Sequence, residues 1–131
     1  MSGVTDLSLM LATLDVEVRA GTFVYRTRAT RDAALDAVGV ARIDEAEGVT
    51  YVINARDADA DRTTTEFIAA WLTLTVQSSL HAVGLTAAVA QALAARGIAC
   101  NVLAGFHHDH LLVPADRVDD AIAAVHALRG G

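Results

Sequence analysis

The sequence predicts an α+β fold in which strands and helices alternate within two similar halves. Residues 70–77, AWLTLTVQ, alternate in side-chain direction, as expected of a strand with one buried face. Residues 86–97, TAAVAQALAARG, carry apolar side chains at helical spacing and end on a glycine. The segments 50–60, TYVINARDADA, and 110–121, HLLVPADRVDDA, both run from a strand into an acidic helix start. They indicate a degenerate internal repeat, for which chance likeness is the alternative.

The second half begins with the strand at 70–77, whose buried face is expected to hold Leu72, Leu74 and Val76. A short loop then leads into the helix, for which Thr86 is the expected N-cap and Gly97 the end.

Two more strands and a helix complete this half. Residues 98–104, IACNVLA, predict the second strand, and Gly105 and Phe106 mark a turn. Residues 107–114, HHDHLLVP, predict the third strand. The last helix is expected to start at Asp116 as its cap, and its buried face is expected to comprise Val118, Ala121, Ile122, Val125 and Leu128.

The first half carries fainter signals of the same kind. Residues 6–14 look helical, and residues 21–27, GTFVYRT, predict a strand with Phe23 and Tyr25 on one face. Residues 38–55 predict a hairpin that turns at Glu47-Gly48, and residues 56–61, RDADAD, a short helix. Helices packed on one face of an antiparallel sheet define the ferredoxin-like architecture. We therefore predict two ferredoxin-like units, at 1–64 and 65–131.

Composition excludes several classes of protein. The formal net charge is −6 and the sequence holds no cluster of basic residues, which argues against nucleic-acid binding and against an anionic membrane surface. No apolar run is long enough to span a bilayer. The single Cys100 allows no internal disulfide, and no signal-peptide pattern is visible, so a cytoplasmic location is expected. No motif for a nucleotide, another cofactor or a catalytic nucleophile is present, so neither an enzyme nor a cofactor is expected.

The segment 78–85, SSLHAVGL, is the first candidate for binding chemistry. It runs directly into a helix N-terminus, where free N–H groups and the helix dipole favour a carboxylate or phosphate. Gly84 permits close approach to the backbone, and Ser78 and Ser79 offer hydroxyl groups. A capped loop that binds nothing is the alternative interpretation.

The second candidate is HHDH, residues 107–110. In a strand, His108 and His110 share one face, while His107 and Asp109 share the other. Two histidines do not complete a zinc site, which needs three or four ligands, so His81, Asp109 or another chain would have to contribute. Asp109 cannot orient a neighbouring histidine from the opposite face, which disfavours a catalytic relay. The favoured interpretation is a polar strand at a subunit interface, where His108 and His110 can touch a ligand.

Residues 70–128 resemble the ACT domain, most of all small bacterial stand-alone tandem ACT proteins. The likeness is carried by LTLTV, SSL, AVGLTAAVA, CNV and HHDH, and more loosely by GTFVYRT and EGVTYVI in the first half. A similar pattern occurs in the regulatory units of aspartate kinases. The resemblance implies two ACT-like units paired side by side or across a homodimer, which bind an amino acid or similar metabolite. The binding positions it implies are Ser78, Ser79, Val83, Gly84, Leu85, Asn101 and Val102.

The resulting functional prediction is a regulatory or sensor protein that binds a small molecule, with an amino acid as the first choice. Two alternatives stay open. One is an interaction module that regulates a partner enzyme without any ligand, and the other is a histidine-based metal-binding protein.

Overall fold

The computed structural model describes residues 6–58, 66–77 and 79–130. These residues form α-helices, β-strands and three short 3₁₀ turns. The helices are α1 Leu7–Ala12, α2 Ala33–Val38, α3 Leu85–Ala95 and α4 Val118–Ala127. The strands are β1 Val16–Val18, β2 Phe23–Arg28, β3 Gly39–Glu45, β4 Gly48–Asn54, β5 Ala69–Leu74, β6 Asn101–Ala104 and β7 Asp109–Pro114.

The chain divides into two compact units. One consists of Met1–Ala20 together with Ala70–Gly131 and is called the split unit; the other, Gly21–Ala69, is called the inserted unit. The predicted boundary between residues 64 and 65 lies outside the described residues. The division into 1–64 and 65–131 therefore stays a prediction, while the contacts place α1 and β1 with the second half of the chain.

The split unit contains a sheet in the order β1-β5-β7-β6. β1 pairs antiparallel with β5, with Val16 opposite Leu74, and β6 pairs antiparallel with β7, with Ala104 opposite Asp109. One face of this sheet and the helices α1, α3 and α4 enclose an aliphatic core. Its fully or almost fully buried members include Met10, Leu14, Leu72, Leu74, Val89, Leu93, Leu111, Val113, Ala121, Ala124 and Val125.

Polar contacts fasten the N-terminal segment of the split unit to its last helix. The Asp15 carboxylate lies 2.8 Å from Nε2 of His126 and 2.9 Å from Nη2 of Arg129. The hydrogen bond from His126, with further help from the Val16 amide and from Arg129, lowers the pKa of Asp15. These contacts hold the start of β1 beside the C-terminal end of α4.

The inserted unit contains the antiparallel strands β3, β4 and β2, in that order. Phe23 of β2 also pairs with Ala69. The small core includes Val24, Leu35 and Ile53, and the buried Tyr51 donates its hydroxyl hydrogen to Asp36 at 2.7 Å. Arg26 and Glu66 form a largely buried ion pair.

Most predicted elements are confirmed. The helix at 6–14 appears as α1, with the Asp6 carboxylate capping its first turn, and the hairpin at 38–55 appears as β3 and β4. The two-layer α+β architecture is confirmed as well. The α4 face predicted to be buried packs into the core, and Leu72, Leu74 and Val76 are buried.

Several details of the prediction were wrong. α3 begins at Leu85, so Thr86 is its second residue rather than its cap, and Gly84 occupies the N-cap position. α4 follows a 3₁₀ turn at Ala115–Arg117, so Asp116 does not cap it. The strand predicted at 70–77 ends at Leu74. Its other face, which was expected to be exposed, is also buried at Trp71, which is only 4% exposed. For the predicted RDADAD helix, the structure shows a 3₁₀ turn at Ala55–Asp57, and residues 59–61 lie outside the described residues.

In the part of the chain that the structure describes, no helix combines the length and the apolar character needed to cross a membrane.

Candidate functional site

A small cleft of about 170 Å³ lies at the beginning of α3, within the split unit. The loop after β5 and the first turn of α3 form one wall, and the turn between β6 and β7 forms the other. The described residues that line it are Ser79, Leu80, Ala82, Gly84, Leu85, Thr86, Ala104, Gly105 and Asp109.

Among the residues that the structure describes, no side chain caps the first turn of α3. Its first helical hydrogen bond runs from the Ala88 amide to the Gly84 carbonyl at 2.9 Å. The amide groups of the preceding helical residues therefore have no partner within the helix. Together with the positive end of the helix dipole, these donors make the Leu85–Thr86 side of the cleft favourable for a carboxylate.

Gly84 has a backbone conformation that only glycine adopts without strain, at φ +101°. A Cβ at this position would also lie 2.9 Å from Cδ2 of Leu7 in α1. The glycine thus allows the loop to turn sharply into α3 and allows α1 to pack against that turn.

Ser79 is the one buried polar residue of the cleft wall, at 7% exposure. Its Oγ accepts a hydrogen bond from the His81 amide at 3.1 Å, and its carbonyl accepts one from the Ala82 amide at 2.9 Å. These bonds fix the loop, and the hydroxyl hydrogen can still be donated to a ligand.

The opposite wall is shaped by the turn between β6 and β7. The Gly105 amide donates to the His108 carbonyl at 2.9 Å, and a Cβ on Gly105 would lie 2.8 Å from that oxygen. The turn spans four residues, so β7 begins at Asp109, opposite Ala104. The Asp109 carboxylate therefore belongs to the cleft. Asp109 was not predicted as a ligand-binding residue, because ligand contact was assigned to His108 and His110, which were expected on the opposite face of the strand.

His110 lies on the face of the split-unit sheet away from its helices. Its Nδ1 accepts hydrogen bonds from Nε1 of Trp71 at 3.3 Å and from Oγ1 of Thr73 at 2.9 Å. An indole N–H can only donate, so Nδ1 is unprotonated in this arrangement. Burial, with a smaller contribution from nearby His108, lowers the pKa of His110. The hydrogen bond from Trp71 and the burial of the ring thus both favour the neutral form of the imidazole.

The structure brings together only some of the predicted site residues. Ser79, Gly84 and Leu85 line the cleft, while Val83 lies next to it in the loop and is 81% exposed. Asn101 and Val102 lie at the far end of β6, roughly 7–10 Å along the strand from Ala104 at 3.3 Å per residue. Asn101 is exposed and Val102 packs against the core. Ser78 lies outside the described residues.

The two predicted histidines do not lie together on one strand. His108 belongs to the turn and only His110 lies in β7, so the expected pairing of both side chains on one strand face was wrong. In residues 6–58, 66–77 and 79–130, no three histidine, cysteine or acidic side chains meet in a group suited to a metal ion.

The inserted unit differs at the corresponding helix start. Oδ1 of Asp32 accepts hydrogen bonds from the amides of Ala34 and Leu35, at 2.9 and 3.1 Å, and caps α2. The hairpin between β3 and β4 also comes close to the end of β2, since a Cβ on Gly48 would lie 2.4 Å from the Arg28 carbonyl oxygen. At α2, the Asp32 carboxylate therefore occupies the place at the helix N-terminus that no described side chain occupies at α3.

Three comparisons place this architecture among known proteins. Residues 2–70 and residues 66–127 each match a family model described as an ACT domain. No curated protein matches the chain. A solved Vibrio cholerae protein of unknown function, described as a possible transport protein, is 35% identical. The match covers 94% of this chain and 95% of that one, with a TM-score of 0.82.

More distant structures share the fold. A structural-genomics protein from Agrobacterium tumefaciens is 16% identical over 88% of this chain and 89% of its own, with a TM-score of 0.69. The ligand-free regulatory subunit of aspartate kinase from Thermus thermophilus is 14% identical over 90% and 97%, with a TM-score of 0.65. The two family models together span residues 2–127, and the chain belongs to the ACT domain family.

Proposed function

We propose that this protein binds an amino acid in the cleft at the start of α3 and acts as a regulatory or sensor protein without catalytic activity. ACT domains are regulatory modules that generally bind small molecules such as amino acids. Membership of the family supports the regulatory role, and the geometry of the cleft supports the ligand class.

The observation that carries the proposal is the difference between the two helix starts. At α2 the Asp32 carboxylate accepts hydrogen bonds from first-turn amides, whereas at α3 no side chain of residues 6–58, 66–77 or 79–130 does so. An amino-acid α-carboxylate placed at α3 would accept hydrogen bonds from these amides, as the Asp32 carboxylate does in the inserted unit. Asp109, on the opposite wall, would balance the charge of the α-ammonium group.

We also propose a homodimer in which β6 lies at the interface. In the described part of the split unit, β6 pairs only with β7 and is therefore an edge strand. An edge strand leaves backbone donors and acceptors open to a second copy of the chain. In such a dimer, the exposed Asn101 would reach the ligand from the partner subunit, whereas the Val102 side chain stays packed against its own core.

The test is calorimetric titration and thermal melting of the full chain with each of the twenty amino acids. A ligand at 100 times its Kd adds about 2.7 kcal/mol, which raises the melting temperature by roughly 5–15 °C. We expect one site per chain, because the start of α2 is already capped. Asp109→Asn should weaken binding at least tenfold, and Asp119→Asn, an equal change of charge on the exposed face of α4, should not. The absence of any shift across the panel would refute the proposal.

A second candidate function is an interaction module without a small ligand. Leu80, Val83 and Phe106 favour it, because these apolar side chains around the cleft are 62%, 81% and 60% exposed. A flat amino-acid panel would make this candidate the better account.

A further inference from the structure

Trp71, Thr73 and His110 form a cluster on the face of the split-unit sheet that lies away from its helices. We propose that this cluster is a proton-operated switch, in which His110 exchanges its hydrogen bond from the Trp71 indole for one to the Thr73 hydroxyl when it takes up a proton. The turn before β7, which forms one wall of the cleft at the start of α3, lies against the same imidazole and responds to the exchange. The switch stands whether or not the cleft binds an amino acid.

The hydrogen bonds around the imidazole define the neutral state of the switch. Nε1 of Trp71 donates to Nδ1 of His110 at 3.3 Å, and Oγ1 of Thr73 lies 2.9 Å from the same nitrogen. An indole N–H can only donate, so Nδ1 carries no hydrogen here and the neutral ring carries its hydrogen on Nε2. The centroids of the two rings are 5.3 Å apart. The indole is therefore directly exposed to any change at the imidazole.

Uptake of a proton reverses the role of Nδ1. A proton from water binds the lone pair that accepts the Trp71 hydrogen, and both ring nitrogens then donate. The indole N–H cannot accept the new hydrogen, so the bond between Trp71 and His110 is lost. The Thr73 hydroxyl has acceptor lone pairs and a hydrogen that can rotate away, so it can accept from Nδ1 at the distance already present. The charged ring thus keeps one partner and loses the other.

The surroundings of the ring set the pH at which the switch operates. Ionisable side chains on this part of the sheet come from the turn, from β7 and from the segment around β1, namely His108, Asp109, Arg19 and, opposite Thr73, Glu17. Burial has the largest effect and lowers the pKa of His110. The charges of His108 and Arg19 also lower this pKa, whereas the charge of Asp109 raises it. On β6 the residue opposite His110 is the apolar Leu103. The exchange should therefore occur below the ordinary histidine pKa of 6.5.

The imidazole also lies against the turn between β6 and β7. A Cβ on Gly105 would lie 3.2 Å from Nε2 of His110 and 2.8 Å from the His108 carbonyl oxygen. That oxygen accepts the Gly105 amide hydrogen at 2.9 Å. Gly105 and Asp109, at the two ends of this turn, both line the cleft. A change in the position or charge of the ring therefore alters the surroundings of an amide in the cleft wall.

The experiment is a pH titration of the full ¹⁵N-labelled chain by NMR, followed at the indole N–H signal of Trp71, the only tryptophan. Because the indole loses a hydrogen bond, we expect this signal to move upfield in a one-proton transition with its midpoint below pH 6.5. Circular dichroism at each pH should show an unchanged fold. The Gly105 amide should move with the same midpoint, whereas the amide of Gly97, beyond the end of α3, should not follow it.

Matched variants separate the switch from general effects of acid. His110→Asn keeps an acceptor but cannot gain a proton there, so both transitions should disappear. His81→Asn, at an exposed histidine in the loop before α3, should retain them. Thr73→Val removes the acceptor of the charged state and should lower the midpoint by about one pH unit. Thr75→Val, which removes a hydroxyl that bonds the Asp15 carbonyl instead, should leave the midpoint unchanged.

Three results would contradict the proposal. A Trp71 signal that stays constant between about pH 8 and about pH 4, or a transition that persists in His110→Asn, would overturn the switch itself. An unchanged midpoint in Thr73→Val would show that the hydroxyl does not accept from the charged ring. A Gly105 amide that does not follow the Trp71 transition would overturn the link to the cleft wall.

Discussion

Met10→Ala tests whether the N-terminal segment belongs energetically to the second half of the chain. Met10 lies on α1 and is fully buried in the core that also contains Leu72, Val89 and Leu93. Truncation of a buried methionine to alanine usually costs about 2–5 kcal/mol, since it loses apolar burial and leaves a cavity. Alanine is a good helix former, so the helix itself is not penalised. The whole loss should therefore appear as destabilisation of the split unit.

The assay is urea unfolding followed by two intrinsic fluorophores. Trp71 is the only tryptophan and lies in the split unit, whereas the two tyrosines, Tyr25 and Tyr51, lie in the inserted unit. With a urea dependence of about 1–3 kcal/mol per molar, a loss of about 2–5 kcal/mol should move the Trp71 transition down by roughly 0.7–5 M. Leu9→Ala, one residue earlier and 52% exposed, should move it by less than about 0.5 M.

An unchanged Trp71 midpoint in Met10→Ala would refute this assignment. A shift confined to the tyrosine signal would show that residues 1–20 stabilise the inserted unit instead. That outcome would favour the contiguous division at residues 64 and 65 over the split arrangement.

Two further predictions concern single residues near the site. The folded-state pKa of His110 lies below its ordinary value of 6.5, so stability that is present above pH 6.5 should be lost as the pH falls towards the folded-state value. His110→Asn keeps an acceptor for Trp71 without titrating, so it should lose less unfolding free energy than the native protein between pH 7 and pH 5, as measured by urea unfolding. Equal losses in both proteins would contradict this. Gly84→Ala should cost about 1–3 kcal/mol from strain at φ +101° and from contact with Leu7. Gly97→Ala, also at positive φ but with open space around it, should cost less by thermal melting, and an equal cost would show that contact with Leu7 adds nothing.

Elements with a clear local period could be predicted from the sequence. α1 and the hairpin of β3 and β4 depend on caps, turns and alternation that operate within a few residues. The buried face of α4 was predictable for the same reason, because residues three and four apart in a helix share a face. Such signals need no knowledge of distant contacts.

The short strand β1 could not be predicted from local signals. It has only three residues, Val16–Val18, and its partner is residues 72–74 of β5, more than fifty positions later. Three residues cannot establish an alternating pattern, and pairing at that separation has no local signal. α2 was missed for a related reason, since Ala33–Val38 covers less than two turns and carries only one buried side chain, Leu35.

The site was predictable in part. Gly84 and Ser79, which precede α3, identify the loop from the sequence. Glycine can adopt the positive φ of a sharp turn, and a serine hydroxyl can form hydrogen bonds at a helix start. Asp109 was missed because its position depends on the length of the turn that precedes it. A four-residue turn held by Gly105 and His108 starts β7 at Asp109 and brings its carboxylate to the cleft.

The uncapped start of α3 also indicates how binding would reach the rest of the split unit. A helix with glycine at its N-cap is less stable by roughly a few tenths of a kcal/mol than one with a capping Ser, Thr, Asp or Asn, and a bound carboxylate can supply the missing acceptor. Gly84 lies in that first turn and contacts Leu7 of α1, and α1 leads through Asp15 into β1. Ligand binding would therefore stabilise the region where the two separate segments of the split unit meet. In the inserted unit Asp32 already caps α2, so the same stabilisation is present without a ligand and cannot respond to one.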